Sequence, residues 1–261
     1  MQTVGVEDML KPNSLHVFSS GAVAPPVKKC AEKFTAEHGT RFEFRIGKGE
    51  DLIEEIAKSK KGDVLTCGAE FLLDIAENKA LIFHNTRKSL GSRKSAILVQ
   101  TGNPKKVRTI SDLTKEGIKV GVSVGGCLLG VWDDIATKAG LIEQLRKNIT
   151  DIAEGCGDLI ALINTKKVDA VLGWDAFKKL AMETMEVVEL PKDLQVHRST
   201  GVAVVKFTKN KKLAEEFVDF LASEKGKRIY EEYGWHHAEQ KARAKPDSCD
   251  YQAKQRIMNK K

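Results

Sequence analysis

The sequence predicts an α/β fold with mixed, mostly parallel sheets flanked by helices. Three observations carry this reading. Strand–loop–helix units recur three times before Ala80, a second set fills the middle of the chain, and the loops after the strands are short and rich in glycine. Such alternation builds parallel sheets through crossover helices.

The elements follow in order. Residues 15–19 (LHVFS) read as a strand, and Ser19-Ser20-Gly21 as the turn after it. Residues 27–38 place Val27, Cys30, Ala31 and Phe34 on one helical face, and Gly39 stops the helix. Residues 41–46 form a second strand, Gly47-Lys48-Gly49 a loop, and residues 50–58 an amphipathic helix. Residues 64–66 are a third strand, broken by Cys67-Gly68 before a helix over 70–79. In the middle, residues 94–100 and 119–123 read as strands, and Val124-Gly125-Gly126-Cys127 leads to a helix over about 130–139. Asp158 is a fair N-terminal cap for a helix over 159–164, and a strand over 168–172 ends at Gly173-Trp174-Asp175. A strand over 199–206 and helices over 211–222 and 226–233 close the organised part. The polar, basic tail from His236 reads as mobile or loosely docked.

The 261 residues suit one large domain or two medium ones. At 41% hydrophobic and 30% charged, the chain is neither disordered nor collagen-like. No stretch approaches the roughly 20 apolar residues of a membrane helix. The opening MQTVGVEDMLKPNS has no apolar core and does not read as a signal peptide, so either the protein is cytosolic or a leader has been removed. A net charge of +7 fits nucleic acid, small anions or a merely solvated surface. With aromatics at 6%, stacking platforms for single-stranded nucleic acid are scarce, and no nucleic-acid-binding motif is present.

In open parallel sheets, ligands bind in loops at the carboxyl ends of strands. Those loops contain Ser19, Ser20 and Gly21; Lys48 and Gly49; Cys67; Cys127; Cys156, Gly157 and Asp158; and Trp174. Most precede helices, whose N-termini offer unpaired N–H groups and partial positive charge to an anion. The plainer alternative is that the glycines only shape the turns. GxxxxGK[ST] and GxGxxG are absent, so no nucleotide cofactor is expected. GxSxG and HExxH are also absent, and the six histidines are scattered. These features favour a binder over an enzyme.

Of the five cysteines, Cys30 sits on an apolar face and Cys249 lies in the tail. Cys67, Cys127 and Cys156 fall in the predicted ligand loops, where a helix N-terminus lowers a thiol's pKa. With Asp158 they could instead hold a thiophilic metal or metalloid, or one could act as a nucleophile. Buried cysteine as simple filler is the third reading.

The segments LHVFSSGAVAPPVKKCAEKFTAEHG, DVLTCGAEFLLDIAENKAL, KSAILVQTGNPKKVRTISDL, VDAVLGWDA and FVDFLASEKGKRIYEEYGW, in this order, resemble the solute-binding proteins of ABC importers, in the molybdate, tungstate and sulfate branch. The resemblance spans about residues 15–235. It implies the two-lobe periplasmic-binding-protein fold with two crossover hinge strands, near residues 92–99 and 199–206. Lobe 1 would hold 1–92 with 200–261, and lobe 2 would hold 93–199. It also implies a periplasmic or extracellular monomer that traps a small oxyanion between its lobes, without a cofactor, for an ABC permease in the membrane. Ser19 and Ser20 match the family's first serine position. The second serine position falls within residues 48–50, which hold no hydroxyl, and the family's tyrosine near VLGWDA is replaced by Gly173-Trp174. In lobe 2, backbone near Cys127 and near Cys156 to Asp158 would complete the shell.

Overall fold

A computed structural model gives the fold, and residues 13–237 are described. Among them the strands are β1 (Ser14–Ser20), β2 (Arg41–Gly47), β3 (Val64–Cys67), β4 (Lys88–Gln100), β5 (Val120–Ser123), β6 (Ile149–Ala153), β7 (Ala170–Trp174), β8 (Met185–Glu189) and β9 (His197–Val204). The helices are α1 (Ala24–His38), α2 (Gly49–Ser59), α3 (Glu70–Asn78), α4 (Val131–Lys138), α5 (Ile142–Asn148), α6 (Cys156–Asn164), α7 (Phe177–Leu180), α8 (Lys211–Ala222) and α9 (Glu224–Glu232). The chain forms two compact units. The first runs to Gly91 and resumes over Ser199–Trp235; the second holds Ser92–Arg198 and resumes at His236. The chain thus leaves the first unit inside β4 and returns inside β9.

In the first unit, β1 lies between β2 and β3, parallel to both, and β9 runs antiparallel to β3. β3 is buried throughout, whereas β2 alternates exposed and half-buried residues as an edge strand does. α1 begins earlier than its apolar pattern predicts, because Pro25 and Pro26 suit a first helical turn. It ends at Gly39, whose φ of 66° is left-handed and whose N–H reaches the Thr35 carbonyl at 2.8 Å. Leu52, Ile53 and Ile56 of α2 and Leu72, Leu73 and Ala76 of α3 join Phe18, Leu65 and Cys67 in one buried cluster. Phe34 of α1 meets Phe217 and Phe220 of α8 edge-on at 5.3 and 5.4 Å.

In the second unit, β5 is parallel to β6 and β7, and β4 pairs antiparallel with β7 and β8. The sequence reading missed β8, whose MEVVE pattern is short and whose neighbours carry no glycine punctuation. β7 also runs two residues further than predicted, so Gly173 and Trp174 belong to the strand. Gly173 is required there: a Cβ would lie 2.8 Å from the Phe177 ring. His236 closes this unit by exchanging backbone bonds with Ser92 at 2.9 and 2.8 Å. Its ring meets Asp175 at 2.6 Å. The basic tail beyond His237, including Cys249, lies outside the described residues.

Candidate functional site

The parallel strands β1, β2 and β3 end at one edge of the first unit. Ser19 and Ser20, the last residues of β1, are buried, and strand alternation turns them to opposite faces. Ser19 Oγ accepts a hydrogen bond from Thr66 Oγ1 at 2.8 Å and donates to the Ser20 carbonyl at 3.4 Å. Ser20 Oγ is buried and has no protein partner. A buried hydroxyl without a partner is costly unless a ligand or water completes it.

Gly49, the first residue of α2, sits beside that hydroxyl. A Cβ there would lie 3.3 Å from Ser20 Oγ and 2.6 Å from Leu72 Cδ1, so glycine keeps the space open. Lys48 is the extended N-cap of α2, without a side-chain cap, and the first helical bond closes from Leu52 N–H to the Lys48 carbonyl at 3.0 Å. The N–H groups ahead of that bond have no acceptor inside the helix. They and the helix dipole form a positive corner next to Ser20. Glu50 and Asp51, in the same turn, partly offset it.

α1 offers no such corner. Ala24 N–H is bonded to the Gly21 carbonyl, Pro25 and Pro26 have no N–H, and Val27 N–H is bonded to the Val23 carbonyl. The anion-binding potential that sequence reasoning gave every loop before a helix is therefore absent at α1. Gly21 serves as a clasp, its N–H reaching the Gly47 carbonyl at 3.1 Å. Cys67 ends β3 inside the apolar core of this unit. Thr66, next to Cys67 in the same strand, is fully buried and spends its hydroxyl on Ser19.

In the second unit, β5, β6 and β7 likewise end at one edge. A short 3-10 turn, Gly126–Leu128, follows β5 and carries Cys127. α6 opens on Cys156 behind the extended N-cap Gly155, with Gly157 and Asp158 exposed in its first turn. The two loops press together: a Cβ on Gly125 would lie 2.3 Å from the Glu154 carbonyl oxygen. Cys127 Sγ and Cys156 Sγ stand 3.2 Å apart. Trp174, at the end of β7, donates its Nε1–H to Cys127 Sγ at 3.2 Å, and the Arg93 guanidinium lies 5.1 Å from the Trp174 ring. Trp174 and Arg93 are fully buried, Cys127 is buried and Cys156 half-buried.

This setting divides the two thiols. The hydrogen bond from Cys156, then the Arg93 charge and the Trp174 N–H, lower the Cys127 pKa to about 5 against the opposing effect of burial. The same bond, followed by burial and the charge on Cys127, raises Cys156 well above the usual thiol range. The shared bond therefore favours Cys127 over Cys156 as the deprotonated partner of the pair. Arg93 escaped the sequence reading; its signal was a cation at the head of an apolar strand.

The structure gives the soft-metal alternative no support. Among the described residues no three histidine, cysteine, aspartate or glutamate side chains form a group able to hold a metal ion. Cys67 is committed to the apolar core of the first unit, and in the second unit Cys127 meets Cys156 while Asp158 is exposed.

Residues 15–236 match the family described as bacterial extracellular solute-binding protein. The chain belongs to that family. Solute-binding proteins of this kind serve transport rather than catalysis. Over 226 residues the chain is 24% identical to the molybdate-binding protein ModA of Mycobacterium tuberculosis, covering 85% of this chain and 84% of that protein. The crystal structure of L-phospholactate-bound PEB3, a protein also solved from Campylobacter jejuni, matches with a TM-score of 0.75 at 24% identity, covering 86% of this chain and 100% of that one. The periplasmic molybdate-binding protein of Azotobacter vinelandii matches with a TM-score of 0.72 at 16% identity, covering 86% and 100%. The α/β, two-lobe periplasmic-binding fold follows from these matches. No described helix is long and apolar enough to cross a membrane.

Proposed function

We propose that this solute-binding protein captures a small tetrahedral oxyanion, of the molybdate, tungstate or sulfate type, and delivers it to an ABC permease in the membrane. The carrying observation is the buried Ser20 hydroxyl without a protein partner, beside the N-terminus of α2. A tetrahedral oxyanion takes several short hydrogen bonds at once, and fixed N–H groups with a hydroxyl meet that need without a counter-ion. The first turn of α6, where the first helical bond runs from Leu159 N–H to the Gly155 carbonyl, offers a similar set of N–H groups near Gly157. The net charge of +7 favours anion capture. The names of the molybdate-binding relatives point the same way.

A phosphate monoester presents the same oxygen face, and the phospholactate bound to PEB3 makes it the second ligand class to test. Calorimetric titration of the reduced protein with molybdate, tungstate, sulfate, phosphate and L-phospholactate decides between them. Saturable binding of one oxyanion per chain is expected. It should raise stability by about 2.7 kcal/mol at 100 times the dissociation constant. Binding of phospholactate alone would move the assignment to phosphorylated acids. No heat and no stabilisation with any of the five would overturn the reading.

A further inference from the structure

Anion capture through Ser20 and the helix N-termini leaves one side-chain group of the second unit without a task. It is the thiol pair Cys127 and Cys156, with its buried Arg93 and Trp174. We propose that Cys127 and Cys156 are a redox-active dithiol that closes reversibly to an intramolecular disulfide, with a peroxide as oxidant and a small dithiol as reductant.

Geometry carries the inference. The sulfurs are 3.2 Å apart, and a disulfide spans about 2.05 Å, so closure needs a movement of only about 1 Å. The 3-10 turn and the first turn of α6 that carry them are already in contact through Gly125 and Glu154. The bond from Cys156, the Arg93 charge and the Trp174 N–H all favour the Cys127 thiolate, and the thiolate is the reacting form. Cys156 is half-buried, which gives a small oxidant a way to the pair. Cys30 is the internal contrast: burial pushes its thiol up to about 12, and it lies on the core face of α1.

The chemistry balances. The Cys127 thiolate attacks one oxygen of hydrogen peroxide, the O–O bond breaks, and hydroxide leaves and takes a proton from solvent. Cys127 is now a sulfenic acid. Cys156 sulfur attacks Cys127 sulfur, the S–S bond forms as the S–O bond breaks, and hydroxide departs with the Cys156 proton as a second water. Two thiols lose two electrons in all, and one peroxide becomes two waters. A small dithiol reverses the change by exchange and leaves as its own disulfide.

The test uses the full-length, reduced protein and one equivalent of hydrogen peroxide, followed by alkylation and peptide mapping. The expected result is loss of two alkylatable thiols, recovery of a Cys127–Cys156 linked peptide, and return of both thiols on treatment with dithiothreitol. Cys156→Ser should stop at a Cys127 sulfenic acid that dimedone captures. Separate alkylation of both residues after oxidation would overturn the proposal. So would a linkage to Cys249 or between chains. The wild-type map decides without any variant, and because it needs no oxyanion, its outcome is independent of the ligand assignment.

Discussion

Ser20→Ala is expected to weaken oxyanion binding by about 10- to 100-fold and to leave the melting temperature almost unchanged. The affinity loss follows from one hydrogen bond to a charged group, worth about 1.5–3 kcal/mol. The unchanged stability follows from the free protein, where Ser20 Oγ has no protein partner to lose. Ser19→Ala is the control on the same strand. It removes the acceptor of the buried Thr66 hydroxyl and should cost about 1–3 kcal/mol of stability. Calorimetric titration paired with thermal denaturation separates the two. Wild-type affinity in Ser20→Ala would remove that hydroxyl from the site.

Under reducing conditions the protein should gain stability as pH rises from about 5 to 9. The Cys127 pKa is lowered to about 5 in the folded state, against an ordinary value of 9.0. A depressed acid contributes stability that is present above the unfolded pKa and lost as pH falls through the folded one. Within the window the unfolded chain holds a proton that the folded chain has released, so stability climbs with pH. Above pH 9 the sign reverses, because Cys156 keeps its proton in the folded state beyond its unfolded value. Denaturant melts at several pH values, taken as differences from Cys127→Ser, isolate the contribution. Identical pH dependence in the two proteins would contradict the thiolate.

Much of the fold was legible because its periodicities are strong. Val27, Cys30, Ala31 and Phe34 recur at helical spacing, and all four are buried in α1. The apolar run 96–99 lies in the buried C-terminal part of β4. β8 was invisible because a short antiparallel strand between loops has neither glycine punctuation nor strong alternation. The site was legible as loops and not as contacts. Ser19 and Ser20 look alike in sequence, yet strand alternation gives one a partner in Thr66 and leaves the other without one. Likewise, Cys67, Cys127 and Cys156 all look like strand-end cysteines in sequence, yet Cys67 is the last residue of β3 while Cys127 and Cys156 lie beyond β5 and β6. Two meet at 3.2 Å, while the third fills a core, because only in the second unit do the loops after neighbouring strands pack sulfur on sulfur.

The most direct measurement is the anomalous scattering of crystals grown with tungstate. Capture of the oxyanion by the serine cradle predicts a single strong tungsten peak per chain, with an oxygen within hydrogen-bond distance of Ser20 Oγ and of the first N–H groups of α2. A well-occupied peak elsewhere on the chain, with Ser20 Oγ still unpartnered, would contradict it.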